Sequence, residues 1–217
     1  MINGVIFDMD GLMFDTERMW VTFWKPALAK LGLEYKEGLD EAARGTAGET
    51  MRNILRKFYG EDCDAEAIVE SLHEVADKEF EKPVPKKPGL DELLAWLDEN
   101  HIPMAVASSS REKMIRHHLD NWNLTHYFKV IASGQQVTHS KPDPEIFLLA
   151  AEKLGVEPNH CLVLEDSYNG VRAGAAGGFV TVMVPDLMQP DDEMRSLYTA
   201  ECKSLMEVLD KLKKNEL

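Results

Sequence analysis

The sequence predicts an α/β fold in which helices cover both faces of a parallel sheet. Two observations favour this fold. Along most of the chain, short apolar runs of strand length alternate with amphipathic helical patterns, and this alternation is typical of parallel sheets. Residues 15–84 interrupt the alternation with helical patterns alone. We therefore expect an all-helical segment inserted between the first and second strands.

Five apolar runs are predicted strands, because each is too short for a typical helix and most are rich in β-branched or aromatic residues. They lie at residues 4–8, 102–109, 128–133, 160–166 and 179–184. Helical spacing of apolar residues predicts helices before and between the later strands and near the end of the chain. These patterns lie at residues 90–97, 114–119, 146–154 and 205–212.

The inserted segment contains three helical stripes, at residues 20–31, 51–58 and 68–76. Pro26 lies inside the first stripe, so we expect it to kink that helix or to start a new one. The Pro- and Lys-rich stretch that follows the third stripe reads as a linker back to the sheet. The predicted domains are a core of residues 1–14 and 85–217 and an inserted helical domain of residues 15–84.

Composition excludes several classes of function. The chain of 217 residues has a net charge of −14, which argues against binding to nucleic-acid backbones or anionic membranes. Its three cysteines form no CxxC pair and indicate free thiols in a reducing compartment. The sequence shows neither a secretory signal nor an apolar run of membrane-spanning length, so we expect a cytoplasmic protein. The sequence does not decide the oligomeric state, and a monomer is one of the states it allows.

Polar residues follow three of the predicted strands, and the carboxyl ends of parallel strands meet at one edge of a sheet. They are Asp8 and Asp10 after the first strand, Ser108, Ser109 and Ser110 after the second, and Glu165 and Asp166 after the fourth. Carboxylates without matched arginines suit Mg²⁺, and serine hydroxyls and helix N-termini suit phosphate oxygens. Lys141, near the start of another helix, supplies a positive charge for phosphate. Together these residues predict a phosphoryl-transfer site.

Each of these elements also has a simpler interpretation. In this interpretation the Asp and Ser residues are ordinary turn residues, and Lys141, taken alone, is a solvated surface lysine. Glu165 and Asp166 are candidate caps for the helix that follows them. Gly170, Gly174 and Gly178 lie four residues apart, which favours close packing of that helix on the sheet.

Four segments, in order, resemble the motifs of the haloacid dehalogenase-like (HAD) phosphatases and phosphomutases. They are FDMDG at 7–11, AVASSS at 105–110, SKPDPEIF at 140–147 and LEDSYNGVRAG at 164–174. The inserted helical segment falls where this family carries a small cap domain, so the resemblance covers essentially the whole chain. It implies a Rossmann-like parallel sheet core with a helical cap that closes to exclude water.

The resemblance also implies roles for individual residues. Asp8 would be the nucleophile that forms an aspartyl phosphate, and Asp10 would be the general acid and base. The implied cofactor is Mg²⁺, held by the Asp8 carboxylate, the Asp10 backbone carbonyl and Asp166, with Glu165 in or next to its coordination shell. The groups that would hold the phosphoryl group are Ser108, the Ser109 backbone and Lys141.

The implied reaction is Mg²⁺-dependent hydrolysis of a small phosphorylated metabolite, a sugar phosphate, as in the β-phosphoglucomutase-like phosphatases. A mutase of the β-phosphoglucomutase type is the alternative, because RGTAGET at 44–50 resembles the cap of that enzyme. Trp20 and Gly48, however, stand where the mutase uses a histidine and an arginine. We expect the cap residues Arg44, Gly45 and Thr46, together with Trp20, to select the substrate.

Two further alternatives have less support in the sequence. A phosphonate hydrolase of this family would need a cap lysine in a desolvated setting, and nothing marks Lys25 or Lys30 in that way. A catalytically inactive relative that serves as a binding module would have lost Asp8, Asp10 or Asp166, and all three are present.

Overall fold

The computed structural model describes residues 2–44 and 46–217, and the chain divides into two compact units. The first unit comprises Met1–Asp15 and Pro85–Leu217, and the second comprises Thr16–Val84. These boundaries lie within one residue of the predicted domain boundaries. The roles of the units as catalytic core and cap remain predictions.

The first unit contains a parallel sheet, which confirms the predicted Rossmann-like α/β fold. In chain order its strands, within the described residues, are β1 (Gly4–Phe7), β2 (Met104–Ser108), β3 (Phe128–Ser133), β4 (Cys161–Glu165), β5 (Val180–Met183) and β6 (Ala200–Glu201). Their spatial order is β3-β2-β1-β4-β5-β6. The first five strands were predicted. The sixth was not, because two residues show no periodicity.

The helices of both units account for the predicted patterns. Within the described residues the second unit has α1 (Glu17–Lys30), α2 (Leu39–Ala43), α3 (Gly48–Tyr59) and α4 (Ala65–Glu79). The first unit has α5 (Leu90–Glu99), α6 (Glu112–Asn121), α7 (Glu145–Leu154), α8 (Tyr168–Ala176), α9 (Asp192–Leu197) and α10 (Leu205–Lys213). No helix among these residues combines the length and the apolar character needed to cross a membrane.

The centre of the sheet is buried on both faces. Ile6 on β1 and Val163 on β4 pack in one cluster with Ile146 and Phe147 of α7, and all four are almost wholly buried. This two-sided burial explains why these strands read as continuous apolar runs. Because β1 pairs directly with β4, the residues that follow these two strands lie side by side at the same edge of the sheet.

The second unit has an aromatic and aliphatic core. The rings of Phe23 and Phe80 pack edge to face with their centroids 5.1 Å apart, and Trp20 packs on both rings at 5.5 Å. Pro26 lies within α1, which continues through it as a single helix. Of the two alternatives for Pro26, the start of a new helix is therefore excluded.

The two chain segments that connect the first unit to residues 16–84 run side by side within the first unit. The Asp15 amide donates to the Pro85 carbonyl at 2.9 Å, and the Lys87 amide donates to the Met13 carbonyl at 2.8 Å. The Lys87 ammonium also contacts the carboxylates of Asp15, at 3.1 Å, and Asp186, at 2.8 Å. One lysine thus ties both connections to the loop after β5.

Candidate active site

Lys141 lies at the centre of a buried cluster of charges at the carboxyl edge of the sheet. Its Nζ atom is 2.6 Å from Asp8 Oδ1, 2.6 Å from Glu165 Oε1 and 3.2 Å from the Ala107 carbonyl oxygen. An ammonium group has three protons, and these three acceptors match them. Lys141 is buried, so the interpretation as a solvated surface lysine is wrong.

Burial and charge act in opposite directions on this pair. Burial raises the pKa of the Asp8 carboxyl group, Lys141 opposes that rise, and the nearby carboxylates of Glu165 and Asp10 add to it. Burial alone would lower the pKa of Lys141, but Asp8 and Glu165 outweigh it and raise that pKa above its usual value. Lys141 is therefore a permanent cation beside Asp8.

Glu165 is fully buried, and hydrogen bonds engage both of its oxygens. Oε1 accepts from Lys141, and Oε2 accepts from the amides of Asp166 and Ser167 at 3.0 Å and from the Ser167 hydroxyl at 2.9 Å. Through Glu165, these bonds link the Lys141 ammonium to the two residues that precede α8. Ser167 is also the residue that caps α8, since its hydroxyl accepts from the Gly170 amide at 3.1 Å. The cap residue is therefore Ser167 and neither of the two candidates, Glu165 and Asp166.

Gly170 makes room for the Glu165 carboxylate. A Cβ atom at this position would lie 1.8 Å from Glu165 Oε1. The packing role predicted from the glycine spacing holds for Gly174, where a Cβ atom would lie 2.6 Å from Thr181 Oγ1 on β5. Gly178 lies beyond α8 and has a positive φ of 76°. The three glycines therefore serve three different purposes.

Asp10 is held by the serines that follow β2. Its Oδ2 atom accepts from the Ser110 hydroxyl at 2.8 Å and from the Ser108 hydroxyl at 3.2 Å. The Ser110 amide donates in turn to the Ser108 hydroxyl at 3.0 Å. Ser109 is exposed, and its carbonyl oxygen packs against Gly134, where a Cβ atom would lie 2.5 Å away. This close approach fixes the loop after β2 against the end of β3.

The carboxylates of the site also suit a metal ion. Asp8, Glu165 and Asp166 are all buried, and each offers a carboxylate oxygen within 4.8 Å of the others. Oxygen donors of this kind are what Mg²⁺ prefers. Both Glu165 oxygens already accept hydrogen bonds, which weakens the case for Glu165 as a direct metal ligand.

The predicted substrate residues of the second unit have structural partners of their own. The Arg44 guanidinium lies 3.8 Å from the carboxylates of Glu17 and Asp40, and its side chain is 18% exposed. The Thr46 hydroxyl donates to the Ala43 carbonyl at 2.7 Å, at the end of α2. Trp20 belongs to the aromatic core described above, and Gly45 lies outside the described residues. The role of these four residues in substrate selection stays a prediction.

The structure thus brings together the predicted residues of the first unit. They are Asp8, Asp10, Ser108, Lys141, Glu165 and Asp166. Sequence reasoning gave Ser110 no specific role, although it noted the serine triplet, and it read Gly170 only as a packing residue. Neither contact leaves a signal in the local sequence. The Ser110 contact needs Asp10, which is distant along the chain, and the Gly170 contact depends on where the Glu165 side chain lies.

A Rossmann-like sheet whose carboxyl edge holds a buried lysine between carboxylates is the arrangement expected for the HAD class. The sequence profile of the haloacid dehalogenase-like hydrolases matches residues 5–184, and the chain belongs to this family. The predicted family is therefore confirmed.

Similar proteins are known from bacteria. The chain is 32% identical to the phosphorylated carbohydrates phosphatase of Thermotoga maritima, over 82% of each chain. It is also 32% identical to the fructose-1-phosphate phosphatase YqaB of Escherichia coli, over 83% of this chain and 95% of the relative. Among solved structures, a "putative beta-phosphoglucomutase" from Thermotoga maritima is 29% identical, with a TM-score of 0.76 and coverage of 98% of this chain and 99% of that one. Both curated relatives are phosphatases by name, in agreement with the predicted class of enzyme.

Proposed function

We propose that the chain is a Mg²⁺-dependent phosphatase that hydrolyses a small phosphomonoester, a sugar phosphate, through an aspartyl-phosphate intermediate. The observation that carries this proposal is the buried Lys141 ammonium, 2.6 Å from both Asp8 and Glu165. A fixed cation beside a carboxylate nucleophile neutralises charge on a transferring phosphoryl group. The names of the two phosphatase relatives, which refer to phosphorylated carbohydrates and to fructose 1-phosphate, support the same reaction and substrate class.

Asp8 is the proposed nucleophile of the first step. One carboxylate oxygen attacks phosphorus, and the bond between phosphorus and the ester oxygen breaks with its electron pair going to that oxygen. Lys141 contacts Oδ1, so we assign the attack to Oδ2. A covalent intermediate divides one difficult transfer into two easier ones.

Asp10 is the proposed general acid and base. In the first step it gives its proton to the departing ester oxygen. In the second step it takes a proton from a water molecule whose oxygen attacks phosphorus. The bond to Asp8 then breaks, which restores the carboxylate and releases inorganic phosphate. Such proton transfers contribute about 10²–10⁴ in rate.

Lys141 and Ser108 are the proposed contacts to the phosphoryl oxygens, together with the backbone of Ser109. To donate to a phosphoryl oxygen, Lys141 exchanges its hydrogen bond to Asp8, while Glu165, which accepts from the amides of the two residues before α8, keeps the ammonium in place. Preorganised donors of this kind are most effective where water is excluded, and both Lys141 and Ser108 are buried.

Mg²⁺ is the proposed cofactor, with Asp8, Asp166 and the backbone carbonyl of Asp10 as its protein ligands. The fit rests on the buried oxygen donors of the site. When bound, the ion supplies positive charge for the phosphoryl oxygens, which is needed in a chain with a net charge of −14.

A phosphomutase is the second candidate, because the stretch 44–50 resembles the cap of β-phosphoglucomutase and one similar solved structure carries that name. A mutase must bind the phosphate that is not reacting while a bisphosphate turns around. Gly48 at the start of α3 offers no charge for this purpose, and Arg44 already lies beside Glu17 and Asp40. One missing charge-assisted contact costs about 1.5–3 kcal/mol, or roughly 10–100-fold in affinity. The phosphatase is therefore the function we favour.

Two assays test the proposal. In the first, a panel of sugar phosphates is incubated with excess Mg²⁺ or with excess chelator, and we expect release of inorganic phosphate only with Mg²⁺. Full activity in chelator would remove the metal from the mechanism. In the second, β-glucose 1-phosphate is supplied with a trace of the 1,6-bisphosphate. If glucose 6-phosphate forms faster than inorganic phosphate, the chain is a mutase.

A further inference from the structure

The serine triplet after β2 contains a hydroxyl group that the proposed mechanism does not use. Ser110 Oγ donates to Asp10 Oδ2 at 2.8 Å, a shorter distance than the 3.2 Å from Ser108 Oγ to the same oxygen. Two hydroxyls therefore donate to the same carboxylate oxygen of Asp10, the proposed general acid. We infer that Ser110 is a positioning residue that holds the Asp10 carboxyl group for proton transfer to the leaving oxygen.

Ser108 is not able to hold Asp10 throughout the reaction. A serine hydroxyl has one proton, so it donates either to Asp10 or to a phosphoryl oxygen. This inference rests on the proposed function, in which Ser108 donates to the transferring phosphoryl group. Once it does so, Ser110 is the hydroxyl that remains on Asp10 Oδ2.

The hydrogen bond from Ser110 also determines which oxygen carries the acidic proton. A protonated carboxyl group has one O–H donor, and its other oxygen still accepts. Because Ser110 donates to Oδ2, the proton that Asp10 transfers lies on Oδ1. That proton moves to the ester oxygen as the bond from phosphorus to that oxygen breaks, and the remaining charge is on the Asp10 carboxylate.

The loop that carries Ser110 is fixed by its surroundings. The Ser110 amide donates to Ser108 Oγ at 3.0 Å, and Ser109 packs tightly on Gly134 at the end of β3. The hydroxyl of Ser110 is therefore presented from a defined backbone position, which is what a positioning contact requires.

The test compares two phosphate esters that differ in their need for an acid. An alkyl ester such as a sugar phosphate needs a proton on its leaving oxygen, whereas 4-nitrophenolate departs readily as an anion. The kcat/KM of each ester is measured with excess Mg²⁺ for the wild type, Ser110→Ala and Ser110→Thr. Ser196→Ala, which alters an exposed hydroxyl on α9, is the control.

We expect Ser110→Ala to lower kcat/KM for the sugar phosphate about tenfold more than for 4-nitrophenyl phosphate, a fraction of the full effect of a general acid. Ser110→Thr keeps the hydroxyl and should restore the wild-type ratio. Equal losses on both esters, or no loss on either, would overturn the inference while leaving the phosphatase in place. A wild-type chain that hydrolyses neither ester would overturn the proposed function and this inference with it.

Discussion

The carboxyl edge of the sheet and the loop around Arg44 both bring cations and carboxylates together, but they do so in different ways. At the sheet edge, Lys141 contacts two carboxylates at 2.6 Å, and all three groups are buried. Around Arg44, the two ion pairs are 3.8 Å long and the guanidinium is partly exposed. The first arrangement is fixed by short hydrogen bonds, and the second consists of longer contacts between partly buried side chains.

This difference separates the proposed chemistry from the proposed choice of substrate. A reacting group needs neighbours that do not move, and the cluster around Lys141 supplies them. A loose ion pair is easily exchanged for contacts with a ligand, at little cost to the fold. We therefore expect substitutions in the cluster around Lys141 to affect every substrate, and substitutions around Arg44 to change the preference among sugar phosphates.

The largest effect is expected for Asp8→Asn. An amide does not act as the nucleophile, so release of inorganic phosphate should fall below detection for every ester. Glu165 still pairs with Lys141 in this variant, so circular dichroism should show an intact fold. Asp192→Asn, on the surface of α9, is the control and should keep full activity. Wild-type turnover by Asp8→Asn would require a different nucleophile.

A smaller but still large effect is expected for Asp10→Asn. Without its acid and base, the enzyme should form and hydrolyse the aspartyl phosphate about 10²–10⁴-fold more slowly. Rapid-quench measurement of the phosphoenzyme follows both steps in a single experiment. If both rates fall by less than about tenfold, Asp10 does not have the assigned role.

Gly170→Ala should break the cluster without changing any charged residue. The added methyl group collides with the Glu165 carboxylate, which must then leave at least some of its donors. Breaking a buried pair typically costs about 3–5 kcal/mol, and we expect a loss of that order in the free energy of unfolding, measured with urea. Activity should also fall for every ester, because Lys141 loses one of its anchors.

Gly174→Ala is the matched control for this prediction. It makes the same change on the same helix, but the methyl group meets Thr181 on β5 and not Glu165. Stability should fall, whereas the turnover of the folded fraction should stay at the wild-type level. Equal loss of turnover in the two variants would mean that Gly170 acts only through general packing.

The smallest effect is expected for Arg44→Ala. Both ion pairs are long, so the free energy of unfolding should fall by less than about 3–5 kcal/mol, the cost typical of breaking a short buried pair. The kcat/KM for 4-nitrophenyl phosphate should change little, while the order of preference among sugar phosphates changes. Arg44→Lys keeps the charge and serves as the comparison. An unchanged preference in both variants would remove Arg44 from substrate selection.

The sequence predicted those strands and helices whose buried apolar residues form a regular pattern. Strands β1 to β5 are apolar because helices cover both faces of the sheet, and the longer helices repeat their apolar residues at helical spacing. Elements α2, α9 and β6 are too short for any period to show. Pro26 lies inside α1, and the local pattern did not decide between a helix that continues and a new helix that starts there.

The sequence predicted those residues of the candidate site that can be recognised from their type and from their position after a strand. Asp8 and Lys141 are far apart in sequence, yet the parallel topology places both at one edge. The contact of Ser110 with Asp10 and the close approach of Glu165 to Gly170 depend on interatomic distances that must be right to within a few tenths of an ångström. Such distances are set by the packed structure and have no counterpart in the sequence pattern.

The paired connections at Asp15 and Pro85 bear on the chain entropy of folding. Strand β1 must pair with β2 across the whole inserted segment, and closing a longer flexible loop costs more entropy, by about 0.6 kcal/mol for each doubling of its length. Residues 16–84 do not behave as a flexible loop once they fold, because Trp20 near their start packs on Phe80 near their end. The folded segment brings its own ends together. The entropy cost of pairing β1 with β2 is then close to that of a short connection, although the insertion is long.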